Sequence, residues 1–312
     1  KPPSPVYLSL SEKEWEAKLQ RCRELASPCV LCGRRCRVLR FTSSENKRTA
    51  ARPAGGMCET LDKAVVASAG PHFGEEPPLV GQRGSGTIFF AGCNLKCIFC
   101  QNYNIAHFCR GQKVSDEELA QIMLEVQEWG CHNINLVSPT HVVPNILAAV
   151  RLAAKQGLHI PLVYNTGGYD SLETIQLLEG VVDIYMPDMK YGEPEPARDF
   201  SKAAGYPEIN FAAVKEMHRQ VGDLVIGENR VAVRGLLVRH LVLPGGLAGT
   251  KKIMEFLANS ISRHTYVNIM AQYRPYYKAL GHPLLGRRIS DKEYREALQI
   301  AAEAGLSRVQ AL

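Results

Sequence analysis

Apolar and polar positions follow two rhythms along the chain, and the change between them falls near Thr87. Residues 10–25, LSEKEWEAKLQRCREL, repeat their apolar side chains at helical spacing, and Ser11 followed by Glu14 makes a capping box at the start. Residues 43–56 lose all periodicity and read as a loose surface excursion. Beyond Thr87, short β-branched runs take over: TIFFA (87–91), NINLV (133–137), IPLVY (160–164), VDIYM (182–186), GLLVRHLVL (235–243) and TYVNIM (265–270). Helical patterns lie between them near 115–129, 142–156, 171–179, 207–221 and 250–261, with a last one near 290–304.

Strands that alternate with helices are parallel βαβ units with right-handed crossovers, so the fold class is α/β. No strand leads into G-x-G-x-x-G at a helix start, which disfavours a dinucleotide-binding sheet. The remaining arrangement is a partial (β/α)6 barrel of the TIM type, with six good units and no seventh or eighth visible. The expected division is an N-terminal helix and Cys-rich extension over 1–84 and the barrel with a C-terminal helix over 85–312.

Barrels place their chemistry where the strands end. The residues just past each run are Cys93/Cys97/Cys100, then Ser138-Pro139-Thr140-His141, then Asn165-Thr166-Gly167-Gly168. Asp188-Met189-Lys190, Pro244-Gly245-Gly246 and Gln272-Tyr273-Arg274 complete the set. Five of these six ends carry polar or ligating side chains while the strand interiors are apolar, which points to one site at the barrel mouth.

Composition adds constraints. With 46% hydrophobic and 22% charged residues in 312, the chain has globular values and enough length for a large core. No run of eighteen apolar residues occurs, which argues against a membrane span. The net charge of +6 is scattered, with loose clusters at Arg34–Arg40 and Lys47–Arg52, so it describes a mildly basic surface. The first residue is Lys1, which leaves an upstream targeting segment open.

Ten cysteines change the picture most, because eight lie between Cys22 and Cys100 in two tight groups. Spacings of two or three residues rarely reach relaxed disulfide geometry but suit a shared metal centre in a reducing, cytoplasmic compartment. Cys29, Cys32, Cys36 and Cys58 supply four thiolates, the full complement for zinc or for a closed iron–sulfur cluster. Cys93, Cys97 and Cys100 are a C-x3-C-x2-C triplet with no fourth beside them, which leaves one iron of a cubane open for chemistry. Cys22, Cys109 and Cys131 read as buried spares.

The triplet after the first strand of a partial barrel resembles the radical S-adenosylmethionine superfamily. GSGTIFFAGCNLKCIFCQN, VYNTGGYDSLETIQLLEG, VDIYMPDMKYG, VRHLVLPGG and TYVNIMAQYRP further resemble its pyruvate formate-lyase-activating-enzyme-like branch. The resemblance implies a [4Fe–4S] cluster on Cys93, Cys97 and Cys100. It also implies reductive cleavage of S-adenosylmethionine to a 5′-deoxyadenosyl radical, which takes a hydrogen atom from a substrate. That substrate is a glycyl residue of a partner protein, or alternatively a peptide, a protein side chain or a small molecule. A flavodoxin- or ferredoxin-like one-electron donor is implied as a second partner.

The superfamily's Gly-Gly-Glu segment is absent here, so Ser138, Thr140 and His141 stand in its place as cofactor contacts. Asn165 and Thr166 match the activating enzymes' Thr-Asn-Gly stretch in type, and Asp188 with Lys190 match their Asp-x-Lys. Gln272, with Tyr273 and Arg274, is expected against adenine or substrate. No basic stripe accompanies YRPYY, so nucleic acid is not expected as a partner. A non-catalytic iron–sulfur or zinc protein would need closed four-ligand centres and no polar ring at the strand ends.

Overall fold

The computed structural model describes residues 4–41 and 55–311, and the excursion read at 43–56, with Lys47–Arg52, lies almost wholly outside them. Among the described residues ten strands are seen: β1 (Ala64–His72), β2 (Ser85–Phe90), β3 (Gln112–Val114), β4 (Ile134–Val137) and β5 (Leu162–Thr166) come first. After them come β6 (Ile184–Pro187), β7 (Val225–Ile226), β8 (Ala232–Leu241), β9 (Tyr266–Met270) and β10 (Arg308–Ala311). The sheet runs β10-β9-β8-β6-β5-β4-β2-β1-β3, with β7 paired to β8. From β2 through β10 along that order every neighbour is parallel, and the two ends of the sheet do not pair, so the barrel is partial and open.

All six expected runs are parallel strands in the expected order. The structure adds β10, a seventh parallel strand, and places antiparallel β1 and β3 beyond β2. β1 lies in the stretch read as the extension, yet it pairs with β2 from Val66 to His72. Every residue of β5 and β6 is buried, as expected of strands covered on both faces.

Crossover helices follow at Asp116–Glu128, Val143–Lys155, Leu172–Leu177, Tyr206–Val221, Thr250–Phe256 and Asp291–Glu303. Ser11, Ser115 and Ser290 each close a capping box with the glutamate three residues on. Helix Glu12–Ala26 turns Trp15, Cys22 and Leu25 inward, so Cys22 is a buried core residue. Cys131 is buried too, whereas Cys109 is half-buried.

One buried carboxylate organises the middle of the barrel. Asp170 is fully buried and accepts hydrogen bonds from Thr140 (2.7 Å), Tyr164 (2.8 Å) and Thr166 (2.6 Å). Burial raises its carboxyl pKa, and the three hydroxyls oppose that shift. Replacing it leaves three buried hydroxyls without their common acceptor. Asp170→Ala is therefore expected to cost about 3 kcal/mol in urea unfolding; a loss below ~1 kcal/mol would show that the network is dispensable.

Candidate active site

Past β2 the chain turns at Gly92, whose φ of 83° favours glycine and whose added Cβ would meet the Cys58 carbonyl oxygen at 2.4 Å. The loop carrying Cys93, Cys97 and Cys100 follows. Backbone hydrogen bonds hold it from outside: Lys96 N donates to Ser201 O at 3.0 Å, and Ile98 N to Phe200 O at 2.8 Å. Ser201 Oγ lies 3.0 Å from Cys97 Sγ, and Leu95 N donates to Cys93 Sγ at 3.4 Å.

Burial pushes the Cys93 thiol up to about 11 and the Cys100 thiol to about 12. Cys97 contributes to both shifts and Cys93 to that of Cys100, so the three sulfurs sense one another. A cavity of about 230 Å³ opens beside them. Cys97, Cys100, Asp188, Lys190, Arg239 and Gln272 are among its walls, which joins the first, fourth and sixth expected strand ends to Arg239 from within the fifth run.

Asp188 is the centre of charge in that wall. Its two oxygens take Lys190 Nζ at 2.6 Å and Arg239 Nε at 2.9 Å. Although burial pushes its carboxyl up, Arg239 and then Lys190 hold it below the usual carboxylate range. Burial disfavours the Lys190 ammonium, but Asp188 and then Cys97 outweigh it and hold its pKa above the ordinary lysine value. The backbone beneath is fixed from helix Tyr206–Val221. The Tyr206 hydroxyl sits 2.8 Å from Gly167 O and 3.0 Å from Asp188 O, and Asn210 Nδ2 donates to Gly168 O at 2.9 Å.

The other expected contacts are placed differently. Thr140 and Thr166 spend their hydroxyls on Asp170 and are buried, so they brace the barrel rather than face the cavity. Asn165 accepts from Arg239 Nη2 at 2.7 Å and so orients the cavity arginine. Ser138 is half-buried with φ 57°, and its backbone N–H donates to Asn165 O. His141 sits in the turn that opens helix Val143–Lys155. Its Nε2 lies 2.8 Å from Ala91 O, and burial pushes the ring down to about 4.

Arg239, Glu75 and Glu76 were not singled out from sequence. The β1–β2 loop brings both glutamates into the barrel, with Glu75 3.8 Å and Glu76 3.9 Å from the Arg239 guanidinium. Asn268 on β9 donates to Glu76 at 3.1 Å. A lone arginine inside the apolar run GLLVRHLVL was the available signal, because a charge on a core strand demands buried partners.

The N-terminal cysteines gather round a buried arginine. Arg40 Nη2 lies 3.5 Å from Cys58 Sγ, and Arg40 Nη1 donates to His141 O at 2.7 Å. A hydrogen bond from Cys36, aided by Arg40, holds the Cys29 thiol down at about 5. Burial raises Cys32 to about 12, with Cys58 and Cys29 adding to the shift. Among the described residues no three His, Cys, Asp or Glu converge as a site for a single ion. A cubane takes each cysteine at a different iron, so the triplet need not converge to fit one, and thiolates are the donors that select iron–sulfur clusters.

An open parallel barrel with a thiol triplet beside a charged cavity defines a cluster-based enzyme class. The family model of the Radical SAM superfamily matches residues 87–238. An uncharacterized protein of Methanocaldococcus jannaschii is 31% identical over 304 residues, spanning 94% of this chain and 80% of that one. The chain belongs to the radical SAM superfamily, and membership implies a [4Fe–4S] cluster and S-adenosylmethionine. A domain of pyruvate-formate lyase-activating enzyme from Bacteroides vulgatus aligns at 16% identity with a TM-score of 0.35, over 63% of this chain and 91% of that domain. No helix among the described residues is long and apolar enough to cross a membrane.

Proposed function

We propose that Cys93, Cys97 and Cys100 hold the [4Fe–4S] cluster and that Asp188, Lys190, Arg239 and Gln272 receive S-adenosylmethionine beside it. The cluster, when bound and reduced, supplies the electron that cleaves S-adenosylmethionine to methionine and a 5′-deoxyadenosyl radical. Lys190 presents an ammonium to the methionine carboxylate, Asp188 keeps that ammonium aimed, and Phe99 and Tyr273, packed edge to face at 5.7 Å, exclude water. The observation that carries this reading is the single cavity joining two of the cysteines to the Asp188–Lys190 pair. Lys190→Ala is expected to weaken S-adenosylmethionine binding by about 1.5–3 kcal/mol in equilibrium dialysis. Unchanged affinity would leave the pair a structural ion pair only.

Size bears on the substrate. At about 230 Å³ the cavity is smaller than the ~300–1,000 Å³ of ordinary ligand pockets, so it offers no enclosed space for a free substrate beside S-adenosylmethionine. The hydrogen donor then enters from the mouth on a protruding segment, which supports a polypeptide such as a glycyl loop of a partner protein over a small molecule.

Cys29, Cys32, Cys36 and Cys58 hold a separate structural centre, and because no three of them converge as a site for a single ion, a second iron–sulfur cluster suits them better than zinc. Arg40 supports this reading, since a buried guanidinium beside Cys58, Cys29 and Cys36 offsets an anionic thiolate centre. Protein with Cys93, Cys97 and Cys100 all changed to Ala is expected to retain about one metal centre per chain by elemental analysis. Protein free of both metals would mean that the four cysteines stand as thiols.

A further inference from the structure

The β1–β2 loop enters the barrel from the end opposite the cysteines, because β1 runs antiparallel into β2 and the cysteine loop follows β2. It delivers Glu75 and Glu76, whose side chains are 9% and 5% exposed. Asn135 on β4 and Asn268 on β9, both buried, meet the two glutamates across the lumen. Hydrogen bonding fixes which way each amide faces. Asn268 turns Nδ2 to Glu76 Oε1 at 3.1 Å, since its carbonyl would be repelled there, and Oδ1 is its free end. Asn133 Nδ2 donates to Leu79 O at 2.9 Å, so Asn133 Oδ1 takes the Ser85 hydroxyl proton at 2.7 Å. Ser85 Oγ can then only accept from its neighbour, and it does so from Asn135 Nδ2 at 3.2 Å, which leaves Asn135 Oδ1 free.

Four buried acceptors therefore lack a donor: Asn135 Oδ1, Asn268 Oδ1, Glu75 Oε2 and Glu76 Oε2. Arg239 does not supply one, because its Nε and Nη2 are spent on Asp188 and Asn165 and it stands 3.8 and 3.9 Å from the glutamates. Charge is short as well. Asp188, Glu75 and Glu76 face two permanent cations, Arg239 and Lys190, which leaves one negative charge over when the half-exposed His72, 3.5 Å from Glu75, is neutral. Burial pushes the Glu75 carboxyl up further than Arg239 holds it down. Buried acceptors left in this state are costly, and an incoming donor that is also a cation relieves both deficits.

Resting on the proposed function, we infer that the substrate polypeptide carries a lysine near its reacting residue, and that this side chain sets its ammonium among Glu75, Glu76, Asn135 and Asn268. The strands mark its path. Leu241 and Met270 line the cavity, and two residues deeper on the same faces of β8 and β9 stand Arg239 and Asn268. An apolar wall thus leads to a polar floor, which matches a slender methylene stem with a charged tip. An ammonium brings three N–H donors and one positive charge to four acceptors, where a water brings two donors and no charge. A bare metal ion suits the floor less well, because among the described residues no three His, Cys, Asp or Glu converge there.

The probe is n-butylammonium chloride, a lysine side chain without its backbone, titrated into the anaerobically reconstituted protein and followed by saturation-transfer NMR. Half-saturation is expected in the low millimolar range, as suits so small a ligand. The uncharged 1-butanol is expected to bind at least about tenfold more weakly. Glu75→Gln and Glu76→Gln keep the native shape and are each expected to weaken n-butylammonium about tenfold; either variant decides the matter if the other does not fold. Equal affinity in wild type and variant overturns the inference. So does displacement of the probe by equimolar potassium chloride, which would make the floor a site for a bare ion. Absence of binding to wild type also overturns it and would leave ordered water as the donor. The titration uses no reductant, so a failure to cleave S-adenosylmethionine bears on the proposed function alone.

Discussion

Anaerobically reconstituted protein reduced with dithionite is expected to convert S-adenosylmethionine to 5′-deoxyadenosine and methionine even without its substrate, and Cys97→Ala is expected to abolish this. The loss should be complete because the triplet has no spare: Cys93, Cys97 and Cys100 are the only cysteines on that loop. Removing one leaves a second iron without a thiolate. Cys97 is the most telling of the three, since its sulfur is buried, meets Ser201 Oγ at 3.0 Å, and influences both neighbouring thiols. The measurement is chromatography of quenched reactions, with electron paramagnetic resonance of the same samples to report the cluster. Turnover by the alanine protein equal to wild type would remove the basis for assigning the cluster to this loop.

Arg239→Met is expected to have the largest effect on stability. Asp188, Glu75 and Glu76 all face this one guanidinium in the barrel interior, and Asn165 fixes its other edge. Methionine nearly conserves the packing of the stem but leaves Glu75 and Glu76 buried without the arginine, while Asp188 keeps Lys190. Breaking a buried pair in this way costs about 3–5 kcal/mol. The measurement is urea unfolding, compared with Arg239→Lys, which returns the charge but not the fork and is expected to recover part of the loss. Stability within ~1 kcal/mol of wild type would show that the carboxylates are neutral or hydrated in the folded protein.

Legibility from sequence followed physical environment. The six parallel strands announced themselves because burial on both faces favours a near-continuous apolar run, as in TIFFA and IPLVY. β10 did not, since Arg308–Ala311 is an edge strand, half exposed, and reads RVQA with no such run. β1 was hidden for another reason: AVVASAGPH mixes small residues with Gly70 and Pro71, and its pairing with β2 is set by a long-range match. Asp188, Lys190 and Gln272, singled out by strand-end position, line one cavity with Cys97 and Cys100. Strand-end position did not reveal that Thr140 and Thr166 both turn to Asp170, one from a neighbouring strand end and one from four residues upstream, because a hydroxyl's direction depends on where its acceptor folds.

The seating of the N-terminal cysteines sets an order on how the chain can mature. Gly33 N donates to Tyr169 O, Ser171 N to Leu31 O, and Cys32 bridges Asp170, while Val6 N reaches the Asp183 carboxylate. Each of those partners leaves the ribosome well over a hundred residues after the thiols do. Through that interval Cys29, Cys32 and Cys36 have only local bonds, such as Cys29 N to Val38 O and Arg37 N to Cys29 O, to hold their loop. On the proposed assignment, metal delivery to them waits for residues 169–183 and so follows synthesis of the Cys93–Cys100 loop, whose Gly92 abuts the Cys58 carbonyl.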